Sequence, residues 1–194
     1  MGVNGPGVDN ICRLIPEQEV EMIRRKNVVL IGMPGCGKST IGVVLAKVVG
    51  ARFIDADLLI QESQGMLLRD IIARYGDDGF LKIENDVNKS IETENAVIAT
   101  GGSAVYCTEA MEKYRENDIV VYIRLEYQEL EKRLGNLKRR GVVLKDGQTL
   151  KDLYNERTPL YEKYAHIIVD SDNMSVEELM DAICSELHKI GTII

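Results

Sequence analysis

The stretch that decides the fold is Asn27-Val-Val-Leu-Ile-Gly-Met-Pro-Gly-Cys-Gly-Lys-Ser-Thr40. Its first half, residues 27–32, is a continuous apolar run that ends in glycine, as expected of a strand buried on both faces of a parallel sheet. Apolar residues then recur at helical spacing from about Lys38 to Val49, and Gly50 marks the end of that helix. The sequence therefore predicts a buried strand, a glycine-rich turn and an amphipathic helix in direct succession.

The turn between strand and helix has the spacing G-x-x-x-x-G-K-[ST], from Gly32 to Ser39. Its glycines let successive backbone N–H groups curl around phosphate oxygens, and the following helix adds the positive end of its dipole. Lys38 can reach the β- and γ-phosphates of a nucleotide, and the Ser39 hydroxyl is placed to ligate Mg²⁺. A glycine-rich turn with a coincidental lysine is the alternative, but the flanking strand and helix favour ATP and Mg²⁺ as cofactors. The expected cofactor-binding residues of the loop are Gly35, Cys36, Gly37, Lys38, Ser39 and Thr40.

The alternation of strands and helices continues along the chain. Four further strands are expected at residues 52–55, 96–100, 119–125 and 166–170. Helices are expected within residues 58–75, broken near Gly65, and at 80–94, 109–117, 127–134, 149–164 and 175–189. This order indicates an α/β fold, a three-layer sandwich around a five-stranded parallel sheet of the P-loop NTPase or kinase type. Residues 1–26 are expected to form a partly disordered extension with a short helix, and residues 27–194 one domain with a flexible lid near 135–148.

Composition limits the classes of partner. The 194-residue chain has a formal net charge of −7, which argues against wholesale binding to nucleic acid. No apolar run approaches the roughly 20 residues that span a bilayer, so no membrane partner is expected. The four cysteines lack the paired spacing of a zinc site or a disulfide framework, which is typical of idle thiols in a reducing compartment. A soluble, cytoplasmic monomer is expected, with a dimer left open.

Further motifs follow the phosphate loop in a recognisable order. They are Phe53-Ile-Asp55-Ala-Asp57, Gly65, Asp70-Ile-Ile, Gly79-Phe80 with Glu84, Thr100-Gly101-Gly102, Arg133, Arg140 and Arg157-Thr-Pro-Leu-Tyr161. In this order they resemble the shikimate kinases, small members of the P-loop kinases, from about residue 27 to the C-terminal helix. The resemblance implies an ATP- and Mg²⁺-dependent enzyme that phosphorylates a hydroxyl group of shikimate, a small hydroxylated acceptor.

Two carboxylates and two cations are the candidates for the chemistry. A carboxylate at the end of a strand beside the phosphate loop can align a hydroxyl group and accept its proton. The resemblance assigns that role to Asp57, and the alternative is that Asp57 is a helix N-cap. It assigns Asp55 to organising the Mg²⁺ ion and its waters. It assigns contact with the transferring phosphate to Lys38 and to Arg140 in the lid. The adjacent Arg139 remains an alternative to Arg140. A solvated helix end is the alternative for this basic stretch.

Four more residues are assigned to binding by the same resemblance. Arg133 would stack on the adenine ring. Gly101 and Gly102 would let the backbone approach the acceptor, and Arg157 would hold the acceptor's carboxylate. From residue type alone, an ordinary surface arginine is the alternative for Arg157.

Two positions in the acceptor region depart from the family pattern. The family's F-R-x-x-E reads Phe80-Leu81-Lys82-Ile83-Glu84 here, so Leu81 stands where an arginine would share the acceptor's carboxylate. Losing that charge-assisted pair is worth roughly 1.5–3 kcal/mol, and Lys82 points about 100° away on a helix. Ser103 replaces a third glycine. The acceptor is therefore expected to be shikimate or a different small polyol or hydroxy acid.

Two rival functions stay open from the sequence. One is another small P-loop kinase that acts on gluconate, a nucleoside monophosphate or an amino-acid hydroxyl. The other is a nucleotide-binding regulatory module without turnover. The intact Lys38, Ser39, Asp57 and Arg140 favour a working kinase, because phosphoryl transfer requires these parts.

Overall fold

The computed structural model describes residues 26–134 and 147–191. In this part of the chain five strands alternate with seven α-helices and one short 3₁₀ helix, Ala104–Tyr106. The strands are β1 (Val28–Ile31), β2 (Arg52–Asp55), β3 (Ala96–Ala99), β4 (Ile119–Arg124) and β5 (Ile167–Asp170). The helices are α1 (Lys38–Val49), α2 (Ala56–Gln64), α3 (Leu68–Ser90), α4 (Thr108–Asn117), α5 (Tyr127–Arg133), α6 (Leu150–Tyr164) and α7 (Val176–Lys189).

The five strands form one parallel sheet in the order β2-β3-β1-β4-β5. Strand β1 lies at its centre, where Val29 pairs with Ile98 of β3 and with Val120 of β4. All four residues of β1 are buried, because helices cover both faces of the sheet. Helices α1 and α7 pack together against the sheet, and α4 and α6 form a second pair that contacts β4. The predicted α/β three-layer sandwich is thereby confirmed.

Two predicted helix boundaries are wrong. Helix α2 begins at Ala56, and its N-cap is Asp55, so the alternative that made Asp57 the cap is overturned. Helix α3 ends at Ser90 rather than near residue 94, because Ile91 takes an extended backbone with φ −67° and ψ 109°.

The other helix signals follow the sequence closely. Gly76 interrupts α3 with a φ of 69°, a value that glycine adopts readily because it has no Cβ. A capping box opens α7: the Ser175 hydroxyl accepts from the backbone N–H of Glu178, whose carboxylate accepts from the N–H of Ser175.

The structure does not test the two regions that were predicted outside the core of the domain. The extension 1–26 and the lid near 135–148 lie outside the described residues, apart from residues 26, 147 and 148. Within the described ranges, no helix combines the length and the apolar character needed to cross a membrane.

Candidate functional site

The loops that follow β1 and β3 and the first turn of α2 surround a cavity of about 620 Å³. This is the edge at which open parallel α/β sheets bind ligands, outside the carboxyl ends of the strands. Most of the predicted site residues lie in its lining, namely Gly35, Gly37, Lys38, Ser39, Thr40, Asp57, Gly101, Gly102 and Arg157. The structure thus brings the expected nucleotide and acceptor residues into one space.

The phosphate loop after β1 has a backbone that depends on glycine. Gly32, Gly35 and Gly37 have φ values of 146°, 82° and 104°, which residues with a Cβ rarely adopt. At Gly32 a Cβ would also lie 2.7 Å from the carbonyl oxygen of Ile123 in β4. Gly37 is the N-cap residue of α1 and has no side-chain cap among the described residues. The N–H groups of the first turn are therefore available to an anion.

Lys38 is held by the backbone of its own loop. Its side chain is buried, and Nζ donates to the carbonyl oxygens of Gly32 at 2.8 Å and Met33 at 3.1 Å. Because an ammonium group has three donors, it can keep these contacts and still offer one to a phosphate oxygen. Ser39 and Thr40 are exposed to the cavity at the start of α1, where their hydroxyl groups can reach a metal ion or a phosphate.

The two aspartates after β2 have different surroundings. The Asp55 carboxylate caps α2, accepting from the backbone N–H groups of Asp57 at 3.0 Å and Leu58 at 3.3 Å. Asp57 lies in the first turn of α2 and faces the cavity. Burial raises the pKa of Asp57 above its ordinary value; the charge of Lys38 opposes this rise and that of Asp55 adds to it. A carboxylate with a raised pKa is a better proton acceptor, which suits the predicted role of Asp57.

The glycines after β3 allow three parts of the site to touch. A Cβ at Gly101 would lie under 3.0 Å from carboxylate oxygens of both Glu84 and Asp57. A Cβ at Gly102 would lie 2.7 Å from the ring of Pro34 in the phosphate loop. The acceptor loop and the phosphate loop are therefore in direct contact, and side chains at these two positions would push them apart.

Glu84 is the most unusual group at the site. Its side chain is fully buried behind Gly101, and Oε1 has no hydrogen-bond partner among the described residues. Burial raises the pKa of Glu84 to about 7, and nearby Asp57 adds to this, while Ser103, Arg157 and Lys38 act in the opposite direction. The sequence marked Glu84 as part of a motif without a role, because nothing in the spacing shows that α3 turns this carboxyl inward.

Arg157 is buried in α6, although an arginine is usually exposed. Its side chain lines the same cavity as the phosphate loop, so the alternative of an ordinary surface arginine is wrong. The helix continues through Pro159. Tyr106, which the sequence did not single out, contacts Arg157: the guanidinium Nε donates to the phenol oxygen at 3.3 Å.

Helix α3 contributes four apolar side chains and two carboxylates, those of Asp77 and Asp78, to the cavity lining. Leu81 lies in it together with Leu68, Ile72 and Phe80, so the departure from the family pattern falls inside the cavity. Lys82 is exposed and is absent from the lining, so it does not supply the missing charge. The second departure, Ser103, also lines the cavity.

Four predicted residues are not among the described residues of the cavity lining, and one of them is Asp55, whose carboxylate caps α2. Arg133 is outside the cavity lining, and its Nε donates to Glu129 at 3.1 Å within α5. Cys36 is buried in the phosphate loop, with its sulfur 3.9 Å from Nζ of Lys38. Arg140 lies outside the described residues. The adenine contact of Arg133 and the lid role of Arg140 stay predictions.

The residues present fit a magnesium ion that is shared with a nucleotide. Among residues 26–134 and 147–191, no group of three His, Cys, Asp or Glu side chains could hold a metal by itself. Mg²⁺ usually retains waters and binds through one or two protein ligands plus substrate phosphates. Ser39 at the loop and the carboxylate of Asp55, of which Oδ1 already caps α2, are suited to that partial set.

Comparison with known proteins points in one direction. A family model described as shikimate kinase matches residues 34–188. A shikimate kinase from Thermodesulfovibrio yellowstonii is 32% identical over 169 residues, which are 86% of this chain and 97% of that protein. One from Nitrosomonas europaea is 36% identical over 167 residues, 84% of this chain and 79% of that protein.

Solved structures agree with the sequence comparison. The shikimate kinase of Acinetobacter baumannii, solved in complex with shikimate, superposes with a TM-score of 0.80 at 28% identity, covering 90% of this chain and 98% of that one. The shikimate kinase of Aquifex aeolicus gives 0.75 at 30% identity, covering 85% and 98%. A gluconokinase from Sinorhizobium meliloti gives 0.52 at 17% identity, covering 85% and 93%, which shows a likeness of fold alone.

Proposed function

The chain belongs to the shikimate kinase family, and from this premise we propose that it transfers the γ-phosphate of ATP to a hydroxyl group of shikimate. The products are ADP and shikimate 3-phosphate. One observation carries the proposal: a single cavity holds the phosphate loop, Asp57 and Arg157. A phosphotransferase needs a donor, an acceptor and a group between them, and these three features correspond to those needs.

The phosphate loop would bind the donor. Backbone N–H groups of the loop and of the first turn of α1 would surround the phosphate oxygens, and Gly37 allows this approach because it leaves the helix uncapped. Lys38 lies beside these groups and would turn one ammonium donor towards the β- and γ-phosphates. Together they hold the leaving ADP while negative charge develops on it.

Asp57 would align the reacting hydroxyl group and take its proton. The hydroxyl oxygen forms a bond to the γ-phosphorus, the bond from that phosphorus to the β–γ bridging oxygen breaks, and its electron pair leaves with ADP. The hydroxyl proton passes to the Asp57 carboxylate, whose pKa is raised by burial. Its place between the phosphate loop and Gly101 supports this role.

Two further assignments complete the donor side. Mg²⁺ would be held by Ser39, Asp55 and the nucleotide phosphates, and when bound it would neutralise phosphate charge. Arg140 would add charge from the lid, and Arg133 would lie against the adenine base. A cytoplasmic monomer without nucleic-acid or membrane partners remains the prediction, and its mass in solution is measured by light scattering during gel filtration.

A second acceptor class is favoured by one observation. Leu81 presents an apolar side chain to the cavity, and Lys38 and Arg157 are the two cations among the described lining residues. Since Lys38 serves the donor phosphates, a shikimate carboxylate would meet Arg157 as its described cationic partner. A small uncharged polyol would pack against Leu81 without losing an ion pair, whereas a hydroxy acid other than shikimate would place its own carboxylate at Arg157.

Turnover by the purified protein distinguishes these acceptors. ADP release is measured with ATP and Mg²⁺ against shikimate, gluconate, homoserine, nucleosides and an uncharged cyclitol. Shikimate as the best acceptor supports the proposal, with a KM in the micromolar to millimolar range of metabolic enzymes. Preference for the cyclitol or gluconate would replace shikimate by the second class. ATP binding without turnover of any acceptor would leave a regulatory module instead.

A further inference from the structure

Tyr106 makes a pair of contacts with Arg157 that together fix the guanidinium plane. The guanidinium carbon lies 5.1 Å from the centre of the Tyr106 ring, and Nε donates to the phenol oxygen at 3.3 Å. The first contact is a cation–π interaction, and the second is a hydrogen bond from a charged donor. Both come from one half-buried side chain that lines the same cavity.

The phenol of Tyr106 is itself held in place from α6, the helix that also carries Arg157. Its hydroxyl donates to Oε1 of Glu156 at 2.8 Å, and Oε2 of Glu156 accepts from the side chain of Gln148 at 2.9 Å. Glu156 therefore directs the phenol proton away from Arg157 and leaves an oxygen lone pair for Nε. A chain of hydrogen bonds in this direction orients every member.

The consequence for Arg157 is geometric. A guanidinium group can bind both oxygens of a carboxylate in either of two ways. It donates from its two terminal nitrogens, or from Nε and one terminal nitrogen. With Nε engaged by Tyr106, an acceptor carboxylate would bind the terminal nitrogens of a guanidinium that also lies near the buried phenol of Tyr161. Arg157 can then approach a carboxylate end-on, in one orientation.

The segment from Gly101 to Tyr106 contacts both Asp57 and Arg157. Gly101 lies against Asp57, and the turn from Gly101 continues into the short helix that ends at Tyr106. Backbone hydrogen bonds stiffen this turn, among them one of 2.9 Å from the N–H of Tyr106 to the carbonyl of Ser103. One short segment therefore touches Asp57, the proposed proton acceptor, through Gly101 and Arg157 through Tyr106.

We propose that Tyr106 is a specificity-determining positioning residue, which orients Arg157 so that its terminal nitrogens bind the carboxylate of the acceptor end-on. The inference rests on the proposed function, since it requires a carboxylate-bearing acceptor. Tyr106 acts through Arg157 and takes no part in the transfer itself. Its contribution is therefore expected in acceptor binding and not in the chemical step.

Steady-state kinetics of Tyr106→Phe and Tyr106→Leu test this. Tyr106→Phe keeps the ring but removes the oxygen, and the KM for shikimate should rise about tenfold, as for loss of one hydrogen bond to a charged group. Tyr106→Leu also removes the ring, and the KM should rise about two- to fivefold further. The KM for ATP and kcat should stay within about twofold of wild type, because the donor contacts are intact.

The matched control is Tyr75 in α3, which lies under Arg74 at 5.3 Å but is exposed and outside the cavity lining. Tyr75→Phe and Tyr75→Leu should leave all constants within about twofold. A second readout uses shikimate methyl ester, which has no negative charge for Arg157. The difference between wild type and Tyr106→Phe should shrink to about twofold with the ester.

The outcomes separate this inference from the function beneath it. Wild type that turns over shikimate, with Tyr106→Phe indistinguishable from Tyr75→Phe, overturns the role of Tyr106 and leaves the proposed function standing. An equal loss with shikimate and its ester, or a parallel rise in the KM for ATP, shows a structural role and also overturns it. Wild type without shikimate turnover overturns the proposed function, and the inference falls with it.

Discussion

Replacing Glu84 by glutamine should make the protein more stable at neutral and alkaline pH. The Glu84 carboxyl is fully buried, with one oxygen unpaired among the described residues, and its pKa is raised from 4.5 to about 7. The folded state therefore holds a proton that the unfolded chain releases above about pH 4.5. Stability from this group is present below pH 4.5 and is lost as the pH rises to 7.

The size of the effect follows from the two pKa values. At 1.36 kcal/mol for each pH unit, the interval between 4.5 and about 7 corresponds to about 3 kcal/mol. Glutamine has the same shape as glutamate and cannot ionise. The free energy of unfolding of Glu84→Gln should therefore not fall by this amount as the pH rises. The free energy of unfolding of the variant minus that of wild type should grow by about 3 kcal/mol between pH 4.5 and pH 8.

Urea unfolding followed by circular dichroism at several pH values between 4.5 and 8 measures this difference. The control is Glu116→Gln, at an exposed position of α4, whose difference from wild type should stay nearly constant with pH. A Glu84→Gln difference that is equally flat would refute the reasoning. It would mean that the buried carboxyl is ionised at neutral pH, because the charges of Lys38 and Arg157 offset the free-energy cost of burying a carboxylate.

Three further substitutions test the site. Lys38→Ala should remove ATP-dependent turnover, because the loop loses its cation. The control Lys47→Ala, at the exposed end of α1, should retain it. Turnover retained by Lys38→Ala would exclude the loop as the donor site. Asp57→Asn should lower kcat about 10²- to 10⁴-fold with little change in the KM for ATP, and an unchanged kcat would disqualify Asp57 as proton acceptor. Leu81→Arg should lower the KM for shikimate more than tenfold. The control Leu67→Arg, at an exposed position outside the cavity lining, should leave this KM unchanged. An unchanged KM in Leu81→Arg would show that Leu81 has no part in acceptor choice.

The fold could be predicted from the sequence because its signals are local. The apolar run that became β1 and the glycines of the phosphate loop each act through neighbouring residues. The same holds for Ser175 and Glu178, whose capping box needs only four consecutive positions. Lys38 and Arg157, distant in sequence, were placed in one site by family resemblance, and the cavity now contains both.

The parts that were missed depend on contacts between distant segments. Asp55, and not Asp57, caps α2 because the helix begins one residue after β2, and two aspartates so close together give the same signal. The burial of Glu84 needs α3, the acceptor loop and α2 to meet. The contact of Tyr106 with Arg157 joins residues 51 positions apart, and no spacing rule connects them.

The contact between Pro34 and Gly102 has a consequence for how the two substrates bind. Because the donor loop rests on the acceptor loop with no room for a Cβ, a shift of one is transmitted to the other. A ligand that displaces one of these loops would therefore alter the affinity at the other, by the same factor in both directions. A compound that fills only the acceptor side would therefore change the dissociation constant for ATP, and screening for such compounds with the nucleotide absent would misjudge their affinity.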